Sequence, residues 1–258
     1  MPKRREIVAW IGATGAAATL PGCAAAPPLG AGEHVRDFHT VIRKNVEMRY
    51  LLWVPEPAQK PPAGWPLVIF LHGSGERGDD LKQVKANGPS KHAAAGRAFP
   101  FVLVAPQLPE RRRWDSDALD ALRADLVARL AVDPERVLMT GLSLGGQGTW
   151  DYAVDYPNRL AAIAPVCGVG TPKRAAAIAK LPIWAFHGAL DDVVPIAGDQ
   201  AMVDAVRAAG GQVRFTVYPD VGHDAWDPAY DDPALYEWLL AQRRGQPARG
   251  GAAERLGG

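Results

Sequence analysis

The sequence predicts an α/β fold with a mostly parallel central sheet and helices on both faces. Residues 67–71 form a continuous apolar run, which is typical of a strand covered on both faces in a parallel sheet. After this run, β-rich and helix-compatible segments alternate along the chain, as they do in α/β sheets. The third observation is an apolar strand that enters residues 141–145, Gly-Leu-Ser-Leu-Gly, with a helix-compatible segment directly behind it. A chain of 258 residues can bury the core of one such domain.

Composition and charge limit the partners of the chain. The formal net charge is +1, which offers no electrostatic case for a nucleic-acid partner. The two cysteines, Cys23 and Cys167, are too few to build a disulfide framework or a metal site. We therefore expect no metal, and a core that stabilises the domain without disulfides.

Residues 1–22 are predicted to be an export signal. Basic residues 3–5 precede an apolar stretch, residues 7–20, that is too short and too rich in Gly and Ala for a membrane span. Residues 20–23, Leu-Pro-Gly-Cys, resemble a bacterial lipobox, in which cleavage leaves Cys23 as a lipid-carrying N-terminus; a plain cleaved signal is the alternative. The twin arginines at 4 and 5 belong to a twin-arginine signal or to an ordinary basic start. We expect export from a bacterial cytoplasm to a periplasmic or extracellular location, with Cys23 as a possible membrane tether.

Behind the leader, the chain divides into a tether, one domain and a tail. Residues 23–34 are mostly small residues and proline and are predicted to be a flexible tether. Residues 35–243 form the predicted domain, and residues 244–258, rich in Gly, Ala and Arg, form a predicted disordered tail. The predicted elements are an antiparallel hairpin at 35–41 and 48–54, a loop at 55–66, strands at 67–71, 101–105, 136–140, 160–166, 183–186 and 213–218, and helices at 118–130, 146–156, 173–180, 196–209 and 229–242.

Local signals mark two of the helix ends. Asp115, Ser116 and Asp117 are the candidate N-caps of the helix at 118–130. Pro157 ends the helix at 146–156, because proline does not continue a helix.

The Gly-x-Ser-x-Gly segment has the strand and helix that a nucleophile elbow requires. Such a turn holds its central residue in a strained conformation, and the residues beside it must lack bulk where strand and helix nearly touch. Gly141 and Gly145 meet that demand, which raises the hydroxyl of Ser143 above the sheet. A serine hydroxyl is a poor nucleophile, so a base must lie within hydrogen-bond reach and a carboxylate must orient that base.

The acid and the base are expected on loops after the two last strands, in that order. His223 is the candidate base, because no other histidine follows the last predicted strand. Asp191 is the first candidate for the acid; its neighbour Asp192 is the second and Asp220 the third. The order Ser143, Asp191, His223 agrees with a serine-histidine-aspartate triad.

The loop after the run 67–71 is expected to supply part of an oxyanion hole. One backbone N–H should come from Leu144, the residue after the nucleophile, and the second from Ser74, with Gly75 as the alternative. Gly73, Gly75 and Gly78 also imitate a dinucleotide-binding fingerprint. We reject that interpretation because no opening helix and no ribose-binding acid follow.

Other candidate residues are weighed against a structural role. Trp226 lies three residues past His223 and could line an acyl or aryl pocket or pack in the core. Gly75 lets its loop pass close to a substrate. His72 and His187 each precede a glycine at a strand end, where the imidazole can bond loop backbone, so both are predicted to be structural. Cys167 lacks a partner histidine and is a poor nucleophile candidate.

These segments resemble the α/β-hydrolase superfamily. The resembling motifs are residues 71–78, 141–146, 187–195 and 222–223, which together span most of the domain. The resemblance is nearest to the compact carboxylesterase and phospholipase-like branch, which includes secreted feruloyl-ester and polyhydroxyalkanoate-cleaving enzymes. It implies an α/β-hydrolase fold and acyl-enzyme hydrolysis of a small-molecule or polymer-linked carboxylic ester without a cofactor. Dienelactone-type members carry cysteine at the elbow, where this sequence has Ser143.

The leading hypothesis is therefore an exported serine esterase with a catalytic triad. Only residues 168–172 separate a predicted strand from the next helix, so no large lid is expected there. A peptidase or acyltransferase with the same triad is the second hypothesis, because the acceptor is selected by pocket walls rather than by the motif. The third is a non-catalytic binding protein on a hydrolase scaffold. The sequence carries no prediction of oligomeric state.

Overall fold

The computed structural model describes residues 30–41 and 45–249. The predicted export signal 1–22, Cys23 with most of the tether, and residues 250–258 of the predicted tail lie outside these ranges. Among the helices of the described residues, none is long and apolar enough to cross a membrane.

One eight-stranded sheet forms the centre of the domain. The strand order is β1-β2-β4-β3-β5-β6-β7-β8. The hairpin of β1 and β2 is antiparallel and joins the sheet antiparallel to β4, while all other neighbours are parallel. The predicted mostly parallel sheet is thereby confirmed. The strands are β1 (Gly32–Val41), β2 (Asn45–Val54), β3 (Trp65–Leu71), β4 (Val102–Pro106), β5 (Val132–Leu142), β6 (Ala162–Val166), β7 (Ile183–Gly188) and β8 (Val213–Tyr218).

Strand β3 lies between two apolar cores, one on each face of the sheet. All seven of its residues are buried, as the continuous apolar run predicts. Leu67, Ile69 and Leu71 face one core, which also contains the buried faces of α2, α3 and α4. Val68 and Phe70 face the other core, which contains residues of α5 and α6. The helices are α1 (Gly88–Ala94), α2 (Ser116–Arg129), α3 (Leu144–Asp155), α4 (Ile196–Ala208), α5 (Trp226–Asp231) and α6 (Pro233–Ala241).

The helices differ from the sequence prediction in three places. Helix α1 was not expected, and the segment Pro172–Ile178 is a 3-10 helix rather than an α-helix. The predicted helix 229–242 is split into α5 and α6 at Asp232. Asp232 adopts φ −72° and ψ 115°, because the following proline disfavours the helical conformation. Its carboxylate then accepts a hydrogen bond from the Ala234 amide and caps α6.

Two further local features bear on the predicted boundaries. Asp115, one of three candidate N-caps of α2, accepts a hydrogen bond from the Ala118 amide. The first residues of the predicted disordered tail are hydrogen-bonded to the domain instead. The Arg244 amide donates to the Glu135 carbonyl, and the Arg249 amide donates to the Gln242 side chain. Residues 244–249 therefore lie against the domain.

The turn between β5 and α3 is packed backbone against backbone. A Cβ atom added at Gly145 would lie 1.9 Å from the carbonyl oxygen of Leu71, and one added at Gly141 would lie 2.4 Å from the carbonyl oxygen of Gly145. Ser143 between them has φ 53° and ψ −116°, and its amide donates to the Val166 carbonyl at 2.9 Å. The helix can start this close to β3 only because position 145 carries no side chain.

This packing predicts that Gly145→Ala destabilises the domain. The new methyl group would meet the backbone of β3, so we expect the free energy of unfolding to fall by about 2 kcal/mol or more. Urea unfolding followed by tryptophan fluorescence measures the change. Gly75→Ala is the matched control, because a Cβ added at Gly75 meets no atom within 4 Å. Equal free energies of unfolding for the two variants would contradict the packing argument.

Candidate active site

Three loops at one edge of the sheet carry the candidate catalytic residues. Ser143 lies in the turn after β5, Asp191 in the loop after β7 and His223 in the loop after β8. These strands are parallel, so their carboxyl ends meet at the same edge. The Nε2 atom of His223 lies 2.9 Å from the Ser143 Oγ, and its Nδ1 lies 2.8 Å from the Asp191 Oδ2. The structure thus brings together the three residues that the sequence selects.

The hydrogen bonds fix how the imidazole of His223 is used. An ionised carboxylate only accepts hydrogen bonds, so Nδ1 of His223 carries the proton that is donated to Asp191. Nε2 is then left as the acceptor for the hydroxyl of Ser143. This tautomer and distance are what a general base needs in order to remove the serine proton.

Asp191 is held as a carboxylate by the groups around it. Burial alone would raise the pKa of Asp191, but hydrogen bonds from His223 and from the amides of Val193 and Val194 outweigh burial and lower it. The two amides donate to Oδ1 at 3.0 and 2.8 Å. The other two acid candidates, Asp192 and Asp220, are exposed, whereas Asp191 is buried against the base.

The loop after β3 lies directly beside the elbow. Leu144 is the first residue of α3, and the first backbone N–H groups of a helix have no partner within the helix. Ser74 starts a short 3-10 helix after β3, and both Ser74 and Gly75 are exposed. A Cβ atom at Gly73 would lie 2.8 Å from Leu142, so the loop passes close to the strand that carries the nucleophile. The loop that carries Ser74 therefore lies close to the turn that carries Ser143 and Leu144, and the oxyanion role of Leu144 and Ser74 stays a prediction.

His72 and Trp114 hold this loop through hydrogen bonds to its backbone. Nδ1 of His72 donates to the Gly73 carbonyl at 2.7 Å, and its Nε2 accepts from the Leu108 amide at 3.0 Å. Burial lowers the pKa of His72, which agrees with a neutral ring that has one donor and one acceptor. The indole N–H of Trp114 donates to the His72 carbonyl at 3.2 Å. His72 thus makes the backbone contacts expected of a structural histidine.

Trp226 packs against the candidate base. Its ring meets the His223 imidazole edge to face, with 5.1 Å between ring centroids and 85° between the planes. Trp226 is the first residue of α5 and is partly exposed beside the site, while part of its surface packs against the core. The structure supports the core-packing role that the sequence left open, and the role of Trp226 as a pocket wall stays a prediction.

Sequence reasoning missed a contribution of Cys167. Its thiol donates to the His223 carbonyl at 3.2 Å, from a residue with φ 50° directly after β6. Burial raises the pKa of this thiol to about 12, so it is neutral. Within the described part of the chain, Cys167, Asp191 and His223 are also the one group whose possible metal ligands lie within 4.8 Å of one another. A metal there would have to break the hydrogen bond between Asp191 and His223, so these donors suit proton transfer better than coordination.

Two further buried side chains adjoin the site, and one of them was not singled out from the sequence. His187, predicted to be structural, lies with its Nε2 atom 2.9 Å from the Val194 carbonyl oxygen. Its Nδ1 atom contacts Asp199, an acid in the first turn of α4. A single acidic residue in a helix usually faces solvent, and nothing in the local sequence indicates that Asp199 pairs with a histidine of β7.

Comparisons with known proteins agree with this fold. The solved structure of a thermostable esterase superposes with a TM-score of 0.69 and is 30% identical; the match covers 81% of this chain and 63% of that one. A ferulic acid esterase shares the fold at a TM-score of 0.55 and 17% identity, over 81% of this chain and 97% of its own.

The curated relatives are similar over shorter segments. A candidate carboxymethylenebutenolidase of Escherichia coli is 34% identical over 109 residues, which are 39% of this chain and 40% of that protein. One of Methylorubrum extorquens is 33% identical over 137 residues, 48% of this chain and 47% of that protein. The matched segments thus span less than half of these relatives. Residues 98–232, which include Ser143, Asp191 and His223, match the Dienelactone hydrolase family. The chain belongs to the dienelactone hydrolase family within the α/β-hydrolase superfamily.

Proposed function

We propose that this protein hydrolyses carboxylic esters through an acyl-enzyme on Ser143. The observation that carries the proposal is the continuous hydrogen-bond path from the Ser143 hydroxyl through His223 to the buried carboxylate of Asp191. In this proposal Ser143 is the nucleophile, His223 the general base and acid, and Asp191 the residue that orients the base and stabilises its imidazolium form. The backbone amides of Leu144 and Ser74 hold the oxyanion.

The reaction then follows two half-steps. The Ser143 oxygen attacks the ester carbonyl carbon while its proton passes to Nε2 of His223, and the carbonyl oxygen becomes an oxyanion. The tetrahedral intermediate collapses, the bond to the alcohol oxygen breaks, and the alcohol leaves with the proton from His223. Water then attacks the acyl carbon while its proton passes to His223, the bond between the acyl carbon and the Ser143 oxygen breaks, His223 returns the proton to Ser143, and the carboxylic acid leaves. Every proton is supplied by Ser143 or water, so the cycle needs no cofactor.

The comparisons support an ester or lactone as substrate. The structure with 30% identity is that of an esterase, and the curated relatives carry the name of a lactone-cleaving enzyme. A serine-based triad can also cleave amides or transfer the acyl group to another alcohol. Product analysis separates these activities, because an acyltransferase yields a new ester and a peptidase cleaves the matched amide.

Exposed apolar side chains at the rim point to an ester with an apolar group. Leu190 and Val193 lie on either side of Asp191 in the sequence, are 64% and 65% exposed, and are two of the four exposed large aliphatic side chains among the described residues. The amide of Leu190 donates to the Val221 carbonyl at 3.0 Å, so Leu190 lies beside the loop that carries His223. Trp226 packs against the ring of His223. We infer that an acyl or aryl group of the substrate contacts Leu190, Val193 and Trp226.

The rim predicts a chain-length preference that depends on Leu190. We expect Leu190→Ser to reduce the kcat/KM ratio of p-nitrophenyl butyrate to p-nitrophenyl acetate by about tenfold, because the longer acyl group loses apolar contact area. Steady-state kinetics with both esters measures the ratio. Val217→Ser is the matched control, since Val217 is an exposed aliphatic residue of edge strand β8 outside the triad loops. An unchanged ratio in Leu190→Ser places the acyl group elsewhere.

Removal of the nucleophile is expected to abolish turnover. Ser143→Ala should lower kcat for p-nitrophenyl acetate by a factor on the order of a millionfold, down to the background of the assay. A fluorophosphonate probe should label the wild-type protein and leave this variant unlabelled. Urea unfolding with the midpoint of the wild type would show that the fold is intact. Undiminished turnover in a folded Ser143→Ala variant would refute the proposed nucleophile.

Substitutions of the adjacent residues Asp191 and Asp192 are expected to affect kcat very differently. An asparagine at 191 can turn its amide N–H toward His223 and so favours the wrong tautomer, and kcat in Asp191→Asn should fall by about four orders of magnitude. Asp192→Asn should retain the wild-type kcat, because Asp192 is exposed and Asp191 occupies the position beside the base. Both are measured with p-nitrophenyl acetate at one pH. A larger loss in the Asp192 variant would reverse the assignment of the acid.

A further inference from the structure

A chain of buried hydrogen bonds continues from Asp191 into the core. The side chains of His187 and Asp199 are fully buried. Nε2 of His187 lies 2.9 Å from the Val194 carbonyl oxygen and 3.3 Å from the Asp191 Oδ2, and its Nδ1 lies 2.9 Å from the Asp199 Oδ2. The other oxygen of Asp199 accepts from the indole N–H of Trp150 at 3.0 Å. Trp150 is part of α3, the helix that starts at the nucleophile.

We propose that His187 and Asp199, here called the buried pair, are positioning residues that hold Asp191 and set the proton affinity of His223. The proposal rests on the function proposed above, since it assigns the pair to the triad of that reaction. His187 contacts Asp191 at Oδ2, the oxygen that also accepts from His223, and the hydrogen bonds of the pair go to Val194 and Trp150 rather than to Ser143 or His223. Its effect must therefore pass through Asp191 and the loop of residues 191–194.

The proton positions in the pair follow from its partners. A backbone carbonyl only accepts, so Nε2 of His187 carries a proton toward Val194 and Asp191. One more proton lies in the bond between Nδ1 of His187 and Oδ2 of Asp199. Burial alone would lower the pKa of His187, but its bonds to Asp199 and Val194 outweigh burial and raise it, while burial raises the pKa of Asp199. The pair therefore keeps its shared proton and has no net charge.

The Nε2 proton of His187 acts on Asp191 in two ways. It donates to the carbonyl of Val194, and the amide of the same residue donates to Asp191. Both backbone polar groups of Val194 are therefore hydrogen-bonded, which fixes the loop. It also faces Oδ2 of Asp191, the same oxygen that accepts from His223. This N–H contacts the oxygen electrostatically while it donates to the Val194 carbonyl, and it thereby stabilises part of the negative charge of Asp191. Without it, Asp191 would attract the imidazolium form of His223 more strongly, and the pKa of His223 would rise.

The charged and titratable groups around the pair come from four elements. Asp191 faces His187 from the loop after β7, and Asp199 faces it from α4. Beyond Asp191 lie His223, in the loop after β8, and Cys167, in the loop after β6. The Cys167 thiol is neutral because burial raises its pKa to about 12. His223 is thus the group that an altered pair would affect through Asp191.

Two substitutions at His187 separate the two ring nitrogens. His187→Asn keeps an N–H near the Nδ1 position, toward Asp199, and removes the donor toward Val194 and Asp191. His187→Gln keeps an N–H near the Nε2 position and gives up the shared proton with Asp199. Both variants replace the ring by a smaller amide, so a role in packing alone would affect the two similarly.

The measurement is the pKa of the His223 ring, followed by NMR in a Ser143→Ala background. We expect His187→Asn to raise this pKa by roughly half a unit, and His187→Gln to leave it within the error of the titration. In the active protein, the acidic limb of kcat/KM should move to higher pH in His187→Asn only. Its kcat should fall by about tenfold, because Asp191 is less well held.

Several results would overturn the proposal. Equal pKa values of His223 in the two variants, or equal losses of kcat, would reduce the pair to a packing role. Nitrogen-15 NMR of the wild-type protein needs no variant to fold: an Nε2 of His187 without a proton would remove the donor on which the proposal depends. Because the NMR titration needs no turnover, a failure of ester hydrolysis with a normal titration would reject the proposed function and leave the role of the pair standing.

Discussion

The site depends on one contact between backbones, the approach of the first turn of α3 to the end of β3. At Gly145 there is no room even for a methyl group against the Leu71 carbonyl. This approach places Ser143 next to the loop at Ser74 and holds it at φ 53°, a conformation that costs about 1–3 kcal/mol. The strain persists because α3 is fixed elsewhere, by the fully buried ring of Trp150 and by the bond from the Ser143 amide to the Val166 carbonyl.

The loops that carry Asp191 and His223 are also joined through their backbones. The amides of Ala189 and Leu190 donate to the carbonyls of Tyr218 and Val221, which extends the pairing of β7 and β8 past the ends of the strands. A Cβ added at Gly188 would lie 2.1 Å from the Gly222 carbonyl oxygen, so the two loops are in direct contact. The distance between Asp191 and His223 is therefore set by the sheet, and side-chain hydrogen bonds refine a geometry that already exists.

The sequence predicted the elements whose signals are local and regular. Buried parallel strands appear as apolar runs, and the three triad candidates follow such runs, so their common edge could be inferred. Helix α1 could not be predicted, because its start depends on a tertiary contact that the local sequence does not show. Gly88 at its start has φ 63° and lies against the ring of Phe70. Asp199 was missed for the same reason, since its partner His187 lies on a strand and the two meet only when α4 packs against β7.

The site combines a fixed polar interior with an open apolar rim, and the backbone separates the two. At Leu190 and Val193 the amides bind the Val221 carbonyl and the Asp191 carboxylate, while the side chains extend toward solvent. In the proposed function, a change of side chain at these positions alters what a substrate contacts and leaves in place the hydrogen bonds to Asp191. Substrate specificity could therefore vary at the rim without disturbing the proposed triad. The same substitution freedom does not extend to His187 or Asp199, because a buried donor or acceptor left without its partner is costly.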